Sequence, residues 1–260
     1  MSGDTAYSVT LLDSVPSTND LVLARIRSGN AAAGEVYVAR RQPGARGRMG
    51  RRWAAEEGGL WFTAAMPLHG EHPGWAGTLA ALAVCQALDE FGLRAGVKWP
   101  NDVVIERKKL AGVLVEGVAG RELAAVGVGL NVRNPVPVDP ARPSAIWLPT
   151  SVAEAGARGT SAGPVPGGRA VEPQALLAPI LARLGELWQR WEAGRLPELQ
   201  EAWSERDVCR GHAVRLLPDG PRGVADGIDG TGALRVRLPG GQITLARAGE
   251  LLFVDQEREE

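Results

Sequence analysis

The sequence pattern changes at Gly211, and the pattern that follows restricts the possible fold more than any other feature of the chain. Short runs with apolar residues alternate there with glycine-containing turns at Asp219-Gly220, Asp229-Gly230 and Gly240-Gly241. Turns spaced this closely leave room for short strands and exclude a long helix. The sequence therefore predicts a small antiparallel barrel of five strands. The predicted strands are residues 213–217, 222–228, 233–238, 242–245 and 251–254.

The chain ahead of this barrel alternates strand and helix signals. The strongest helix signal runs from Pro173 to Trp191, where large apolar residues recur at helical spacing. We therefore expect a larger domain over residues 1–206 and a small one over residues 207–260. The other predicted helices run from the Ser17–Thr18 cap to Gly29, over residues 75–91, from Ser151 onwards, and over residues 196–203. The predicted strands are residues 9–12, 36–39, 60–66, 97–99, 103–105, 108–116 and 121–131. Residues 156–171 are predicted to be a mobile loop.

The composition is that of an ordinary globular protein. The chain has 260 residues, of which 45% are hydrophobic and 23% charged, and its net charge is -1. Cys85 and Cys209 lack the spacing of a zinc site or a disulfide framework, which favours a reducing compartment. Residues 1–10 do not resemble a secretory signal, and the longest apolar stretch is too short to span a bilayer. We expect a cytoplasmic protein.

Residues 40–53 concentrate positive charge within this nearly neutral chain. They contain six arginines and three glycines, so the segment is predicted to be a loop whose backbone can approach a ligand. Guanidinium groups bind phosphate or carboxylate through paired donors and stay charged at any working pH. A small anionic ligand, a nucleic acid and a merely solvated surface all fit this segment alone.

Three other places carry polar residues of ambiguous purpose. Ser17, Thr18 and Asn19 can cap a helix, or they can donate hydrogen bonds to a neutral polar ligand. Pro100 interrupts residues 97–105, so that Asn101 and Asp102 are predicted to lie in a tight turn. Two glycines inside one predicted strand, at 127 and 129, predict close approach by a ligand or another backbone.

Five short motifs taken together resemble those of one enzyme family. They are Ser17-Thr18-Asn19, Gln42 ahead of Arg46-Gly47-Arg48-Met49-Gly50-Arg51, Lys98-Trp99-Pro100-Asn101-Asp102, Lys109-Leu110-Ala111-Gly112 and Gly129-Leu130-Asn131. Each is weak alone, but their order and spacing are similar to those of biotin protein ligases. The resemblance covers essentially the full chain, including the small C-terminal barrel.

The resemblance implies a fold and a reaction. The fold is α+β, with a mixed sheet flanked by helices as in class II aminoacyl-tRNA synthetases, followed by an SH3-like barrel. In the reaction, the carboxylate of biotin attacks ATP, with Mg²⁺, to give biotinyl-5′-AMP and pyrophosphate. A lysine of a biotin carboxyl-carrier protein domain, such as that of acetyl-CoA carboxylase, then takes the biotinyl group.

The resemblance also implies roles for individual residues. Catalytic roles fall to Arg48, Lys109 and Asp102, and Asp102 is also a candidate magnesium contact. The implied biotin-binding residues are Ser17, Thr18, Asn19, Gln42, Arg46, Gly47, Arg48 and Lys109. The implied nucleotide- and adenylate-binding residues are Arg46, Arg48, Arg51, Trp53, Lys98, Asn101 and Asn131.

Some expectations depend on departures from the family pattern and on competing functions. Ala45 stands where the family's loop commonly has glycine. Ser17 lies too near the start to leave room for an N-terminal DNA-binding domain, so no DNA binding is expected. A homodimer is compatible with an exposed edge strand. The competing functions are a lipoate or octanoate ligase or transferase, and a nucleic-acid-binding module, which the overall charge disfavours.

Overall fold

A computed structural model describes residues 6–68, 74–137, 148–157 and 171–254. Its helices are α1 (Thr18–Ser28), α2 (Trp75–Asp89), α3 (Val152–Ala157), α4 (Pro173–Glu192) and α5 (Leu196–Ser204). The strands of the first sheet are β1 (Ser8–Ser14), β2 (Glu35–Arg41), β3 (Leu60–Pro67), β4 (Gly96–Lys98), β5 (Asp102–Ile105), β6 (Lys108–Gly117) and β7 (Leu123–Leu130). Those of the second sheet are β8 (Ala213–Leu217), β9 (Arg222–Ile228), β10 (Leu234–Arg237), β11 (Ile243–Ala246) and β12 (Glu250–Phe253).

The first sheet is mixed, as the resemblance implies. Its seven strands lie in the order β1-β2-β3-β7-β6-β5-β4. β1 and β2 pair in parallel, and the other neighbours are antiparallel. β7 lies at the centre between β3 and β6, so it is covered on both edges. The fold class predicted for the larger part of the chain, α+β with a mixed sheet, is confirmed.

Helix α1 begins and ends where its sequence signals predict. The Ser17 hydroxyl accepts a hydrogen bond from Asp20 N at 3.2 Å, and Gly29 ends the helix with a left-handed φ of 75°. Val22 and Ile26, one turn apart, are buried against the sheet. This packing directs the N-terminal end of α1 over the central strands β3 and β7.

The main core lies between the first sheet and two long helices. Helix α2 is buried on nearly all sides because it lies between the sheet and α4. The indole of Trp188 on α4 is buried, and its Nε1 donates to the carbonyl of Pro67 at 3.0 Å. Burying an aromatic side chain of this size stabilises the fold by about 3 kcal/mol. The amphipathic pattern of residues 173–191 thus predicted a real core helix.

The second sheet has the predicted strands but not the predicted closure. Its five strands are antiparallel in the order β11-β10-β9-β8-β12. Within residues 211–254, no pairing joins the edge strands β11 and β12, so the sheet is open at these edges. Turn spacing predicts strands and hairpins, whereas closure depends on how strongly the strands twist and coil.

The segment that leads into the second sheet is hydrogen-bonded to the first sheet. Val97 N donates to the carbonyl of Arg206 at 2.7 Å, and Val208 N donates to the carbonyl of Val97 at 3.2 Å. The guanidinium of Arg206 donates to the carbonyl of Ala95 at 3.1 Å and pairs with Asp89. The segment between the two sheets therefore runs beside β4.

Asp102 does not lie in the predicted turn. It is the first residue of β5, and its backbone lies opposite that of Lys98 on β4. The predicted mobile loop, residues 156–171, falls mostly outside the described residues. Among the helices of the described ranges, none is both long and apolar enough to cross a membrane.

Candidate active site

A pocket opens over the central strands of the first sheet. Its floor is formed by β3, β6 and β7, and one wall is the N-terminal end of α1. The arginine-rich segment, residues 40–53, forms a second wall, and Gly249 to Leu251 of the second sheet close one side. The volume, counted to the open mouth, is about 910 Å³. A ligand there would meet groups from both sheets, from α1 and from the arginine-rich segment.

Nearly all residues singled out in the sequence line this pocket. They are Ser17, Thr18, Asn19, Gln42, Arg46, Gly47, Arg48, Arg51, Trp53, Lys98, Asn101, Asp102 and Lys109.

Asn131 is buried and does not line the pocket. Its Nδ2 donates to the carbonyl of Thr150 at 3.1 Å, and its Oδ1 accepts from Asn134 at 3.2 Å. Thr150 N in turn donates to the carbonyl of Lys109 at 2.8 Å. The Asn131 amide is therefore engaged in holding the backbone beside Lys109.

The arginine-rich segment folds back on itself over the pocket. Gly47 N donates to the carbonyl of Arg51 at 2.7 Å. Between these residues, Met49 takes a left-handed φ of 57° and is 82% exposed. Ala45, at the position where the family's loop commonly has glycine, is buried beside Trp53 and accepts a hydrogen bond from Trp53 N at 3.0 Å. The extra methyl group is thus accommodated by a small apolar cluster.

The arginines of the segment differ in their partners. Arg46 contacts Asp20 at 2.6 Å and Glu116 at 2.8 Å, and Arg51 contacts Glu250 at 2.8 Å. Arg40 pairs with Glu57 and Arg41 with Asp13, both outside the pocket lining.

Arg48, like Arg52, differs from these because it forms no ion pair with a carboxylate in the part of the chain that the structure describes. It is half-buried, and its NH1 donates to Asn101 Oδ1 at 3.1 Å. Burial lowers the pKa of the Arg48 guanidinium, and the negative charge of Asp102 partly opposes this. Arginine remains charged despite such a shift. The positive charge that Arg48 places in the pocket is therefore not neutralised by a carboxylate partner.

Two lysines add positive charge beside Asp102, the carboxylate whose charge also acts on Arg48. Lys109 Nζ lies 2.6 Å from Asp102 Oδ1 and 5.4 Å from the centre of the Trp53 ring. Burial lowers the pKa of Lys98, which is only 4% exposed. Burial alone would raise the pKa of Asp102, but Lys109 and Lys98 outweigh it and lower the pKa. Asp102 is therefore ionised and flanked by cations.

At the other end, the pocket carries neutral hydrogen-bonding groups. Gln42 Oε1 accepts from Thr18 N at 2.7 Å and lies 3.2 Å from Thr18 Oγ1. The hydroxyls of Thr18 and Thr63 lie 2.8 Å apart. Thr63 Oγ1 in turn lies 3.4 Å from Asn19 Oδ1. These side chains are buried, so the pocket is charged at one end and neutral but polar at the other.

Side chains approach both strand glycines closely, and both glycines line the pocket. A Cβ at Gly129 would lie 2.8 Å from Nε1 of Trp53, and one at Gly127 would lie 2.6 Å from Oδ1 of Asn19. The indole Nε1 of Trp53 is buried without a hydrogen-bond partner among the described residues. The hydrogen-bonding capacity of this donor is therefore unmet within the described structure.

Some residues at the site carry no sequence signal. Thr63, Glu116 and Glu250 lie in strands where their side chains could face either side. Glu116 and Arg46, which form an ion pair, are 70 positions apart in the sequence. Alternation within β6 indicates which residues share a face, but not which groups lie opposite them.

Comparison with known proteins identifies the class to which this fold and pocket belong. Residues 11–132 match the model of the Biotin/lipoate A/B protein ligase family. Over 256 aligned residues the chain is 32% identical to a biotin--[acetyl-CoA-carboxylase] ligase of Paracoccus denitrificans, covering 89% of this chain and 99% of that protein. A protein of the same name from Mycobacterium tuberculosis is 31% identical, over 92% of this chain and 86% of the relative.

Solved structures agree with these matches. A biotin protein ligase from Aquifex aeolicus in complex with biotin and ATP superimposes with a TM-score of 0.75 at 27% identity. The match covers 94% of this chain and 97% of the other. The chain belongs to the biotin protein ligase family.

Proposed function

We propose that this chain is an ATP-dependent biotin protein ligase. It activates biotin as biotinyl-5′-AMP and transfers the biotinyl group to a lysine of a carrier domain. The observation that carries the proposal is the division of one pocket into a neutral polar end at Thr18 and Gln42 and a cationic end at Arg48, Lys98 and Lys109. Biotin has a neutral ureido ring and an anionic tail, and ATP is anionic.

The cationic end would serve the first step. A biotin carboxylate oxygen bonds to the α-phosphorus of ATP while the bond to pyrophosphate breaks. Two anions must approach each other, and this repulsion grows in a pocket from which water is excluded. We assign Arg48 and Lys109 to offset it, because fixed cations stabilise charge on phosphate oxygens without reorganising.

The second step releases AMP. An uncharged lysine amine of the carrier attacks the acyl carbon, and the bond from that carbon to the phosphate oxygen breaks. We assign Asp102 to the approach of this lysine, since a carboxylate attracts an ammonium group and accepts a hydrogen bond from it; the proton that the nitrogen loses passes to water. The hydrogen bond from Lys109 keeps Asp102 ionised until then.

The neutral end is assigned to the biotin ring. Ser17, Thr18, Asn19 and Gln42, with the backbone at residues 46–48, provide donors and acceptors that match a urea group. All four side chains are buried, so a ligand there would be shielded from water.

The nucleotide is assigned to the remaining groups around the arginine-rich segment. Arg46, Arg48 and Arg51 would face phosphates, while Trp53, Lys98 and Asn101 would contact the adenylate. Asn131 does not line the pocket, so we propose that it acts indirectly, through the backbone next to Lys109.

Magnesium is proposed to accompany ATP. In the described ranges, no three His, Cys, Asp or Glu side chains lie together as a metal site. Mg²⁺ commonly keeps several waters and binds through substrate phosphates and one or two carboxylates. Asp102 and Glu250 are the carboxylates among the lining residues, and we assign Asp102 to hold such an ion because Glu250 is paired with Arg51.

Several finer features belong to the same proposal. The carrier is a biotin carboxyl-carrier protein domain, and the protein acts in the cytoplasm. We assign residues 1–206 to a catalytic domain and residues 207–260 to a C-terminal domain of SH3-like type, whose sheet is open between β11 and β12 within residues 211–254. A homodimer would use the edge strand β1, whose residues Val9 and Leu11 are 43% and 67% exposed.

Exchange of labelled pyrophosphate into ATP tests the first step. We expect exchange to require biotin and to be unaffected by lipoate. Exchange that follows lipoate instead would overturn the proposal, since the family model also includes lipoate ligases. Transfer to a purified carrier domain, followed by mass spectrometry, tests the second step.

A further inference from the structure

The carboxylate of Glu116 contacts two segments that meet at the neutral end of the pocket. Its Oε2 accepts a hydrogen bond from Nδ2 of Asn19, and it lies 2.8 Å from NH1 of Arg46. Glu116 lies on β6, does not itself line the pocket and takes no part in the two chemical steps. Its contacts therefore need another explanation.

The contact with Asn19 determines which way that amide points. An amide side chain has one accepting atom and one donating group, whereas an ionised carboxylate only accepts. Glu116 therefore holds Nδ2 of Asn19 towards itself. Oδ1 of Asn19 is then turned towards Thr63, 3.4 Å away, and lies over Gly127, where a Cβ would approach it to 2.6 Å. Both Thr63 and Gly127 line the pocket.

We infer that Glu116 is a positioning residue for biotin, acting through Asn19. With Asn19 in this orientation, a hydrogen-bond acceptor faces the end of the pocket assigned to the ureido ring, whose N–H groups are donors. A reversed amide would set donor against donor and leave both unsatisfied. This inference rests on the proposed function, because it requires that biotin occupy that end.

Glu116 could instead affect biotin binding through its contact with Arg46, and Asp20 provides a control for this explanation. Asp20 also pairs with Arg46, through NH2 at 2.6 Å, and the hydrogen bonds that Arg46 donates to Asp20 and Glu116 raise the pKa of Arg46. No hydrogen bond between the side chains of Asp20 and Asn19 is present in the described structure. Asp20→Asn therefore removes charge beside Arg46 without altering the partner of Asn19.

Calorimetric titration of biotin into the full-length chain without ATP tests the inference. Glu116→Leu should weaken binding by about tenfold or more, which corresponds to about 1.4 kcal/mol. Glu116→Gln should stay within about threefold of wild type, because its Oε1 still accepts from Asn19. Asp20→Asn should also stay within about threefold, because Asn19 keeps its partner.

A double-mutant comparison separates positioning from a general structural role. If Glu116 acts through Asn19, adding Glu116→Leu to Asn19→Ala should weaken biotin binding by less than about twofold further. The KM for ATP should change by less than about twofold in Glu116→Leu, whereas a loosened fold would affect both substrates. Glu116→Ala, with the same expectations, replaces Glu116→Leu if the latter does not fold by circular dichroism.

Several outcomes would overturn the inference. One is wild-type affinity for biotin in Glu116→Leu, and another is additive losses of affinity in the double variant. A third is equal losses of affinity in Glu116→Gln and Asp20→Asn, because this result would attribute the effect to Arg46. Failure of the proposed function looks different. In that case the wild-type chain itself would neither bind biotin nor catalyse biotin-dependent exchange.

Discussion

Lys109 Nζ lies 2.6 Å from Asp102 Oδ1, and the two side chains are 13% and 21% exposed. The strands β5 and β6 that carry them are paired, so the contact is built into the sheet. A fixed cation beside a fixed anion lets one pocket receive both a negatively charged nucleotide and a positively charged lysine. Each member of the pair therefore gives a separate prediction.

Asp102→Asn should make stability less sensitive to acid. The pKa of Asp102 is lowered because Lys109 and Lys98 outweigh the effect of burial. A carboxyl whose pKa is lower in the folded state stabilises the protein above its unfolded pKa, here 3.8, and loses this contribution as pH falls through the folded pKa. In urea unfolding between about pH 5 and about pH 2, wild type should lose stability more steeply than the variant. Equal slopes would contradict this.

Lys109→Met should slow adenylate formation far more than it weakens biotin binding. Removing one fixed donor to developing charge typically costs about 10²- to 10³-fold in rate. Single-turnover formation of biotinyl-5′-AMP measures the rate, and calorimetry measures biotin affinity. Lys108→Met is the matched control, since Lys108 is adjacent in β6 but does not line the pocket. Parallel losses of rate and affinity would remove the assigned role from Lys109.

Arg48→Ala should release the adenylate sooner. The half-buried guanidinium of Arg48 has no carboxylate partner in the described structure, so its charge is available to a phosphate. Hydrogen bonds to charged groups contribute about 1.5–3 kcal/mol, which predicts release about 10- to 100-fold faster. Dissociation of labelled biotinyl-5′-AMP gives the rate, and biotin on lysines of an added bystander protein gives the consequence.

The control for Arg48 comes from the same segment. Arg41 pairs with Asp13 and lies outside the pocket lining, so Arg41→Ala should retain the adenylate as wild type does. Retention by both variants would show that Arg48 does not hold the intermediate.

Glu250→Gln should loosen the arginine-rich segment with little effect on stability. Arg51 NH1 lies 3.0 and 2.8 Å from the two carboxylate oxygens of Glu250, and the side chains are 43% and 21% exposed. A pair this exposed contributes less than about 1 kcal/mol. We expect faster trypsin cleavage after Arg48 but a nearly unchanged melting temperature.

A charge exchange provides the control for this contact. The double variant Arg51→Glu with Glu250→Arg restores an ion pair in reversed orientation, and cleavage after Arg48 should return towards the wild-type rate. If Glu250→Gln is cleaved at the wild-type rate, the second sheet does not restrain the segment.

Local sequence signals predicted much of the fold. Ser17 and Gly29 bound α1, and the apolar spacing of residues 173–191 marks α4. Such signals succeed because capping and helical periodicity depend on residues within one or two turns. The barrel prediction shows the limit: glycine-containing turns located the strands, but the pairing order left the sheet open at β11 and β12 within residues 211–254.

The candidate site divides in the same way. The motifs at residues 17–19, 46–51 and 98–102 could be recognised as polar segments suited to a ligand, and they do line one pocket. The motif residue Asn131 does not, because the direction of β7 and the fold of the following segment turn its amide towards Thr150. A motif identifies residues, but only the surrounding packing determines where each side chain points.

By itself, the sequence determined which groups are available: the clustered arginines, the capped helix and the glycines of the central strand. Only the tertiary structure decided which groups meet. It brought Glu116 to Asn19 across 97 positions and Glu250 to Arg51 across 199. The physical reason is that caps and periodicity are set by neighbours, whereas these contacts depend on strand register and on how the two sheets pack, both of which involve residues far apart in the chain.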